Sequence, residues 1–130
     1  MRFITTQVHG VIDYVVGVLL IAAPWILGFA GGGPESWLPV VIGAAVIAYS
    51  LFTDYEYGMV RRITMRMHLW LDAAFGAFLA ISPWLLNYWQ VVWWPHVIVG
   101  LLLIAAALLT QLTPARMHDG EGRGGRPHTV

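Results

Sequence analysis

The chain has 130 residues, of which 58% are hydrophobic and only 11% are charged, and its seven basic and seven acidic side chains balance. Soluble domains carry about a quarter charged residues, so this composition argues against an ordinary water-soluble globule and favours a protein embedded in a membrane. The chain contains no cysteine, which excludes disulfides, thiolate metal sites and dithiol redox chemistry.

Four apolar stretches follow one another along the chain, and each is predicted to form a membrane-spanning helix. They cover residues 8–29, 37–53, 67–88 and 91–112. About 20 helical residues cross the hydrocarbon core of a bilayer, and only the second stretch is clearly shorter. The expected fold class is therefore all-α, an integral membrane four-helix bundle in residues 1–112. The polar, glycine-rich segment 113–130 is predicted to be a disordered cytoplasmic tail.

The first and third stretches carry the same motif, a His and an Asp four residues apart with a Pro-Trp pair that begins eleven residues after the Asp. Its members are His9, Asp13, Pro24 and Trp25 in the first copy and His68, Asp72, Pro83 and Trp84 in the second. The constant offset between the copies indicates an internal duplication into two tandem two-span repeats, about 8–54 and 67–112. Such repeats have parallel topology and a pseudo-twofold axis along the membrane normal.

The second copy contains a complete Ser-Pro-Trp tripeptide, Ser82-Pro83-Trp84, whereas Ala23 replaces the serine in the first copy. Repeated at the same place in two-span units, this motif resembles the SPW-repeat family of small integral membrane proteins over about residues 8–112. The resemblance implies a membrane protein built from two-helix repeats, and it brings no biochemical activity with it.

Basic and aromatic residues orient the predicted bundle. All seven basic residues are arginines in the N-terminal segment, the central loop and the tail, at positions 2, 61, 62, 66, 116, 123 and 126. The positive-inside rule then places both termini in the cytoplasm. Six tryptophans fall at the opposite ends of the spans, where an aromatic belt is expected. We predict a multi-pass protein of a prokaryotic cytoplasmic membrane.

On a helix, each His-Asp pair shares one face with a glycine and with the proline of the motif. A carboxylate is costly to expose to lipid, so we expect both stripes to face the bundle interior. Whether the two stripes meet there is left open by the sequence. The candidate polar site is His9, Asp13, His68 and Asp72, together with Asp54 at the cytoplasmic end of the second span.

Three hypotheses explain this site. The leading hypothesis is structural: the pairs join helices, or bind the nearby arginines Arg61, Arg62 or Arg66, in a small scaffold or accessory subunit. The alternatives are a metal ion held by the two His and two Asp residues, and an oligomeric ion or proton pathway that Asp54 and Glu56 extend. Haem is disfavoured because an acid lies one turn from each His.

No enzymatic activity is predicted, because the chain offers no nucleophile or cofactor motif. No organic cofactor is predicted, and a metal ion belongs to the alternative hypothesis. The expected partners are the lipid bilayer and either a second copy of the chain or a larger membrane complex, and nucleic acid is not among them.

The motif prolines free two backbone carbonyls, those of Leu20 and Leu79, because proline has no N–H to donate to them. The Ser82 hydroxyl is the candidate partner in the second copy, and Ala23 offers none in the first. Pro24, Trp25, Ser82, Pro83 and Trp84 are therefore predicted to form a helix-kink and interface-anchor motif. Gly28 and Asn87 are predicted to end the helices that precede them, and His96 is predicted to lie at the interface.

Overall fold

The computed structural model describes residues 2–112, which form four α-helices and no strand. The helices are α1 (Thr6–Ile26), α2 (Pro34–Leu51), α3 (Met65–Leu85) and α4 (Trp94–Leu109). The all-α class is confirmed, and each helix falls on one of the predicted apolar stretches. The predicted tail, 113–130, lies outside the described residues.

The beginnings of the helices follow from local sequence. Thr5 and Thr64 cap α1 and α3, and each accepts a 3.2 Å hydrogen bond from a backbone N–H three residues later. Pro34 and Pro95 lie in the first turns of α2 and α4, where a missing N–H costs nothing. This position of Pro95 makes residues 91–93 part of the preceding turn, so α4 is shorter than the predicted fourth stretch.

The Pro-Trp motifs lie at the C-termini of α1 and α3. Gly28 and Asn87 follow with positive φ angles, 78° and 59°, as predicted. The next residues, Phe29 and Tyr88, each donate a 2.8 Å backbone hydrogen bond to the carbonyl of the motif proline, which is the bond that closes a Schellman motif. The Pro-Trp motif therefore also supplies the carbonyl that accepts the capping hydrogen bond at the end of each helix.

In α3 the carbonyl freed by the motif proline has found its predicted partner. Ser82 Oγ donates a 2.7 Å hydrogen bond to the carbonyl of Leu79 and also contacts the Tyr88 hydroxyl. The Trp25 and Trp84 side chains of the motifs are exposed, as expected of interface anchors.

The helices pack as two hairpins, α1 with α2 and α3 with α4, and the main helix–helix contact between the hairpins is that of α2 with α3. In each hairpin two glycine backbones meet. A Cβ atom at Gly43 would lie 2.5 Å from the carbonyl oxygen of Gly17, and one at Gly100 would lie 2.5 Å from that of Gly76. The helices can approach this closely because neither position has a side chain.

Length and apolarity alone make two of the described helices, α1 and α2, candidates to cross a membrane. The other two differ from the predicted spans for separate reasons. Helix α3 has 21 residues, as α1 does, but it is less apolar, because charged Arg66 and polar His68 and Asp72 interrupt it. Helix α4 is apolar but has only 16 residues, about 24 Å of helix.

Candidate functional site

The four residues of the repeated His-Asp motif meet in one buried ring between α1 and α3. His9 Nε2 lies 2.7 Å from Asp72 Oδ2 and 3.1 Å from Asp13 Oδ2. His68 Nε2 lies 2.6 Å from Asp13 Oδ2 and 3.3 Å from Asp72 Oδ2. All four side chains are 0% exposed. The shorter contact of each His is thus to the Asp of the other hairpin.

A threonine holds the second nitrogen of each imidazole. His9 Nδ1 lies 2.7 Å from Thr110 Oγ1, and His68 Nδ1 lies 2.7 Å from Thr53 Oγ1. Each threonine hydroxyl in turn donates to the carbonyl four residues earlier, Ala106 at 2.5 Å and Tyr49 at 2.6 Å. A hydroxyl has one proton and a carbonyl can only accept, so in both pairs Nδ1–H is the donor.

Short backbone pairings bring these threonines to the ring. The segment before α1 pairs with the end of α4, through Ile4 and Thr110. The segment before α3 pairs in the same way with the end of α2, through Ile63 and Thr53. As a result, Thr110 of the second half contacts His9, and Thr53 of the first half contacts His68.

The two carboxylates have different remaining partners. Tyr49 donates its hydroxyl proton to Asp72 Oδ1 in a short hydrogen bond. Ser50 Oγ donates to Asp13 Oδ2 at 3.3 Å. Asp13 Oδ1 is buried and has no hydrogen-bond partner within residues 2–112. Burying a carboxylate oxygen without a hydrogen-bond partner is costly. Asp13 Oδ1 can therefore accept a hydrogen bond or bind a cation.

Aromatic rings close the site toward the central loop. The ring centroids of Tyr49 and Tyr55 lie 5.0 and 5.7 Å from that of His68. Tyr55 is fully buried, and its burial raises its pKa, so the phenol is neutral. The ring is thereby shielded from bulk solvent, in an environment where its electrostatic interactions are stronger than in water.

The remaining candidates lie outside the ring. Asp54 pairs with Arg61, whose Nε is 3.8 Å from Asp54 Oδ1, so the structure does not bring Asp54 to the His-Asp cluster. Glu56 accepts hydrogen bonds of 2.7 and 2.8 Å from Thr6 Oγ1. Within residues 2–112, neither Asp13 nor Asp72 forms an ion pair with Arg61, Arg62 or Arg66. Both carboxylates pair with the imidazoles of His9 and His68 instead.

His96, which was predicted to lie at the membrane interface, is buried within the protein, with its side chain 1% exposed. His96 Nε2 donates a 3.0 Å hydrogen bond to the carbonyl of Glu35. Its ring packs between Phe29 and Tyr88, the two residues that close the helix ends described above. His96 therefore joins α4 to the start of α2.

Thr53 and Thr110 were missed in the sequence, although a signal for them was present. They are 57 residues apart, the same offset that relates Gly43 to Gly100 in the even-numbered helices. Threonine is common at helix ends, so the presence of a threonine at both positions does not by itself indicate a functional role. Each threonine contacts a histidine of the other half because of the backbone pairings, and these cannot be read from the periodicity of the sequence.

The ring can exist in two charge-balanced states. With the Nδ1 proton fixed, each Nε2 either carries a second proton, which it donates to the carboxylates, or presents a lone pair to a cation. In the first state two imidazolium ions balance two carboxylates, and in the second a divalent ion balances them. One ligand atom from each of the four residues lies within 4.8 Å of all the others, so the four residues form one candidate ligand set.

A family model of the SPW repeat domain matches residues 7–110 of the chain, which include every residue of the ring with its threonines and all four helices except the first residue of α1. Neither a curated protein nor a solved structure matches the chain.

Proposed function

This chain belongs to the SPW repeat family, and on that premise we propose that it is a small integral membrane protein that binds one divalent transition-metal ion in the His-Asp ring. The observation that carries the proposal is the closed set of two imidazole Nε2 atoms and two carboxylate Oδ2 atoms, each imidazole fixed by a threonine. A histidine that binds a metal ordinarily donates its other N–H to an oxygen acceptor, and here a threonine hydroxyl is that acceptor.

The proposed membrane placement has all four helices spanning, as two repeats that arose by duplication, with both termini in the cytoplasm. The arginines of the described chain support this orientation, since they all precede α1 or lie between α2 and the first turn of α3. Six exposed tryptophans at the other end of the helices support it as well. Helix α4 then spans with help from its flanking residues or from local thinning of the bilayer.

The chemistry of the donor atoms favours zinc, iron(II) or manganese(II). Imidazole and carboxylate together suit these ions, whereas calcium and magnesium prefer oxygen ligands alone. In a tetrahedral site with metal–ligand distances of about 2.1 Å, neighbouring ligand atoms are about 3.4 Å apart. The ring contacts of 2.6–3.3 Å would therefore have to widen, the longest by about 0.1 Å and the shortest by about 0.8 Å, to reach this spacing. Asp13 Oδ1 supplies an additional oxygen at the same place.

Elemental analysis tests the proposal directly. The protein is purified from membranes without a histidine tag, loaded with Zn²⁺ and freed of excess ion. We expect about one zinc per chain in the native protein and a background level in Asp13→Asn/Asp72→Asn. Asp54→Asn, which removes a carboxylate outside the ring, is the matched control and should keep its zinc. Equal zinc in all three proteins would overturn the proposal.

The ring distances themselves support a second candidate function, a clamp between the two hairpins. All four contacts have hydrogen-bond or close ion-pair lengths, so the ring also closes through protons alone. In that case neither the native protein nor the two variants bind zinc above background, and the only effect of Asp13→Asn/Asp72→Asn is a loss of stability. An ion pathway has less support, because the core that adjoins the ring consists of apolar side chains such as Val16, Leu20 and Leu79.

A further inference from the structure

A groove of about 190 Å³ lies between α3 and α4, at the end of the bundle that carries the arginines. The side chains that define its character are those of Arg2, Arg66, Leu69, Trp70, Ala73 and Leu108. One end of the groove is therefore cationic and the rest is apolar. None of these residues belongs to the His-Asp ring.

The two guanidinium groups are placed in the groove without a counter-charge. Arg2 Nη1 donates hydrogen bonds of 3.1 and 2.7 Å to the carbonyls of Ala107 and Thr110 at the end of α4. These bonds fix the group and leave its other N–H donors for a ligand. Arg66 is exposed in the first turn of α3. Among the described residues no acidic side chain lines the groove.

Trp70 gives the groove the character of a membrane interface. It is 68% exposed and lies at the opposite end of the bundle from the other six tryptophans. Indole favours the headgroup boundary, where the ring is in an apolar environment and the N–H is in a polar one. Leu108 continues the apolar wall and is 60% exposed. An occupant must therefore combine a negative charge with a hydrocarbon chain.

We propose that this groove binds an anionic phospholipid of the cytoplasmic leaflet. The phosphate lies between Arg2 and Arg66, and an acyl chain lies along Ala73 and Leu108. Inorganic phosphate would satisfy the guanidinium groups but leave the apolar wall uncovered. The inference rests on the membrane placement proposed above and is independent of the metal, so either site can fail while the other stands.

Native mass spectrometry of the full chain in neutral detergent tests the site. Phosphatidylglycerol, phosphatidylcholine and inorganic phosphate are titrated separately. We expect one phosphatidylglycerol to bind in preference to the other two, and its affinity to fall about fivefold for each arginine removed in Arg2→Gln/Arg66→Gln. Arg61→Gln/Arg62→Gln is the matched control, since it removes the same charge outside the groove and should change the affinity little.

The single variant Arg66→Gln keeps the Arg2 bonds to the end of α4, so it tests the site if the double variant fails to fold. We expect the affinity of this variant to fall about fivefold. Equal binding of phosphatidylcholine, or an equal loss in the Arg61→Gln/Arg62→Gln control, would show attraction without a defined site and overturn the proposal. Displacement of the lipid by inorganic phosphate at similar concentration would also overturn it, by revealing an anion site alone.

Discussion

At the scale of single residues, the histidines of the ring are defined by what lies behind them. Thr53 and Thr110 each accept a hydrogen bond from an imidazole Nδ1–H and donate one to a backbone carbonyl. This chain of donors leaves no choice of tautomer, so each Nε2 always faces the carboxylates. A group that only joined two helices would not require such a fixed orientation, and a metal ligand benefits from it.

Replacing the threonines tests this positioning role. In Thr53→Val/Thr110→Val the shape is kept but the Nδ1 proton loses its acceptor, so we expect the affinity for Zn²⁺ to fall about 10–100-fold. Competition with a chromophoric chelator measures the change. Thr53→Ser/Thr110→Ser restores the hydroxyls and should bind as the native protein does. If the valine and serine variants bind equally well, the threonines do not position the ligands.

At the scale of helices, the stability of each hairpin depends on a glycine contact one to two turns from the ring. Gly17 meets Gly43, and Gly76 meets Gly100, with backbone oxygens where side chains would otherwise lie. Asp13 and Asp72 precede the first partner of each pair by one helical turn. The close approach of the backbones therefore also fixes where the carboxylates project.

Adding a methyl group at this contact should separate the helices. In Gly43→Ala the new Cβ would lie 2.5 Å from the Gly17 carbonyl oxygen, and we expect the free energy of unfolding to fall by about 1–3 kcal/mol. Gly100→Ala should behave alike in the other hairpin. Denaturation in detergent gives the values. Ala44→Val, on the exposed side of α2, is the control, and a loss as large there would argue against a specific contact.

At the scale of the whole molecule, the two hairpins are joined by few elements. They are connected by the interface of α2 with α3, the backbone pairings of Ile4 and Ile63, the hydrogen bond from His96 to Glu35 and the His-Asp ring. The ring is a polar part of this junction, and each hairpin supplies one His and one Asp to it. Membrane placement decides which side of the bilayer can reach it.

Cysteine labelling determines the topology, since the chain has no native cysteine. Single cysteines at Ala30, Met59 and Gln90 lie at exposed loop positions. With four spans we expect a membrane-impermeant maleimide to reach 30 and 90 from outside intact cells, and 59 only in inverted vesicles. Labelling of 59 and 90 from the same side would show that α3 does not span. The native protein, without a thiol, gives the background.

The sequence by itself determined the local features of this protein. Apolar runs of helical length predicted four helices, and a threonine, a proline or a glycine at their ends set most boundaries, because these effects act within one or two turns. The recurrence of His9 and Asp13 as His68 and Asp72 predicted the site residues, since a carboxylate must avoid lipid. The hydrogen bond from Ser82 to the Leu79 carbonyl was predictable as well, because Pro83 has no N–H to donate to that carbonyl.

Only the tertiary structure decided how these elements meet. The crosswise pairing of each His with the other hairpin's Asp, the contact of Thr110 with His9 and the hydrogen bond from His96 to Glu35 all join residues more than 50 positions apart. The contact of Thr53 with His68 spans only 15 positions, but it too joins the end of one hairpin to the start of the other. Such contacts depend on backbone pairings at Ile4 and Ile63 and on glycine contacts between helices. Helical periodicity reports which face of a helix is buried, but it carries no information on which neighbour buries it.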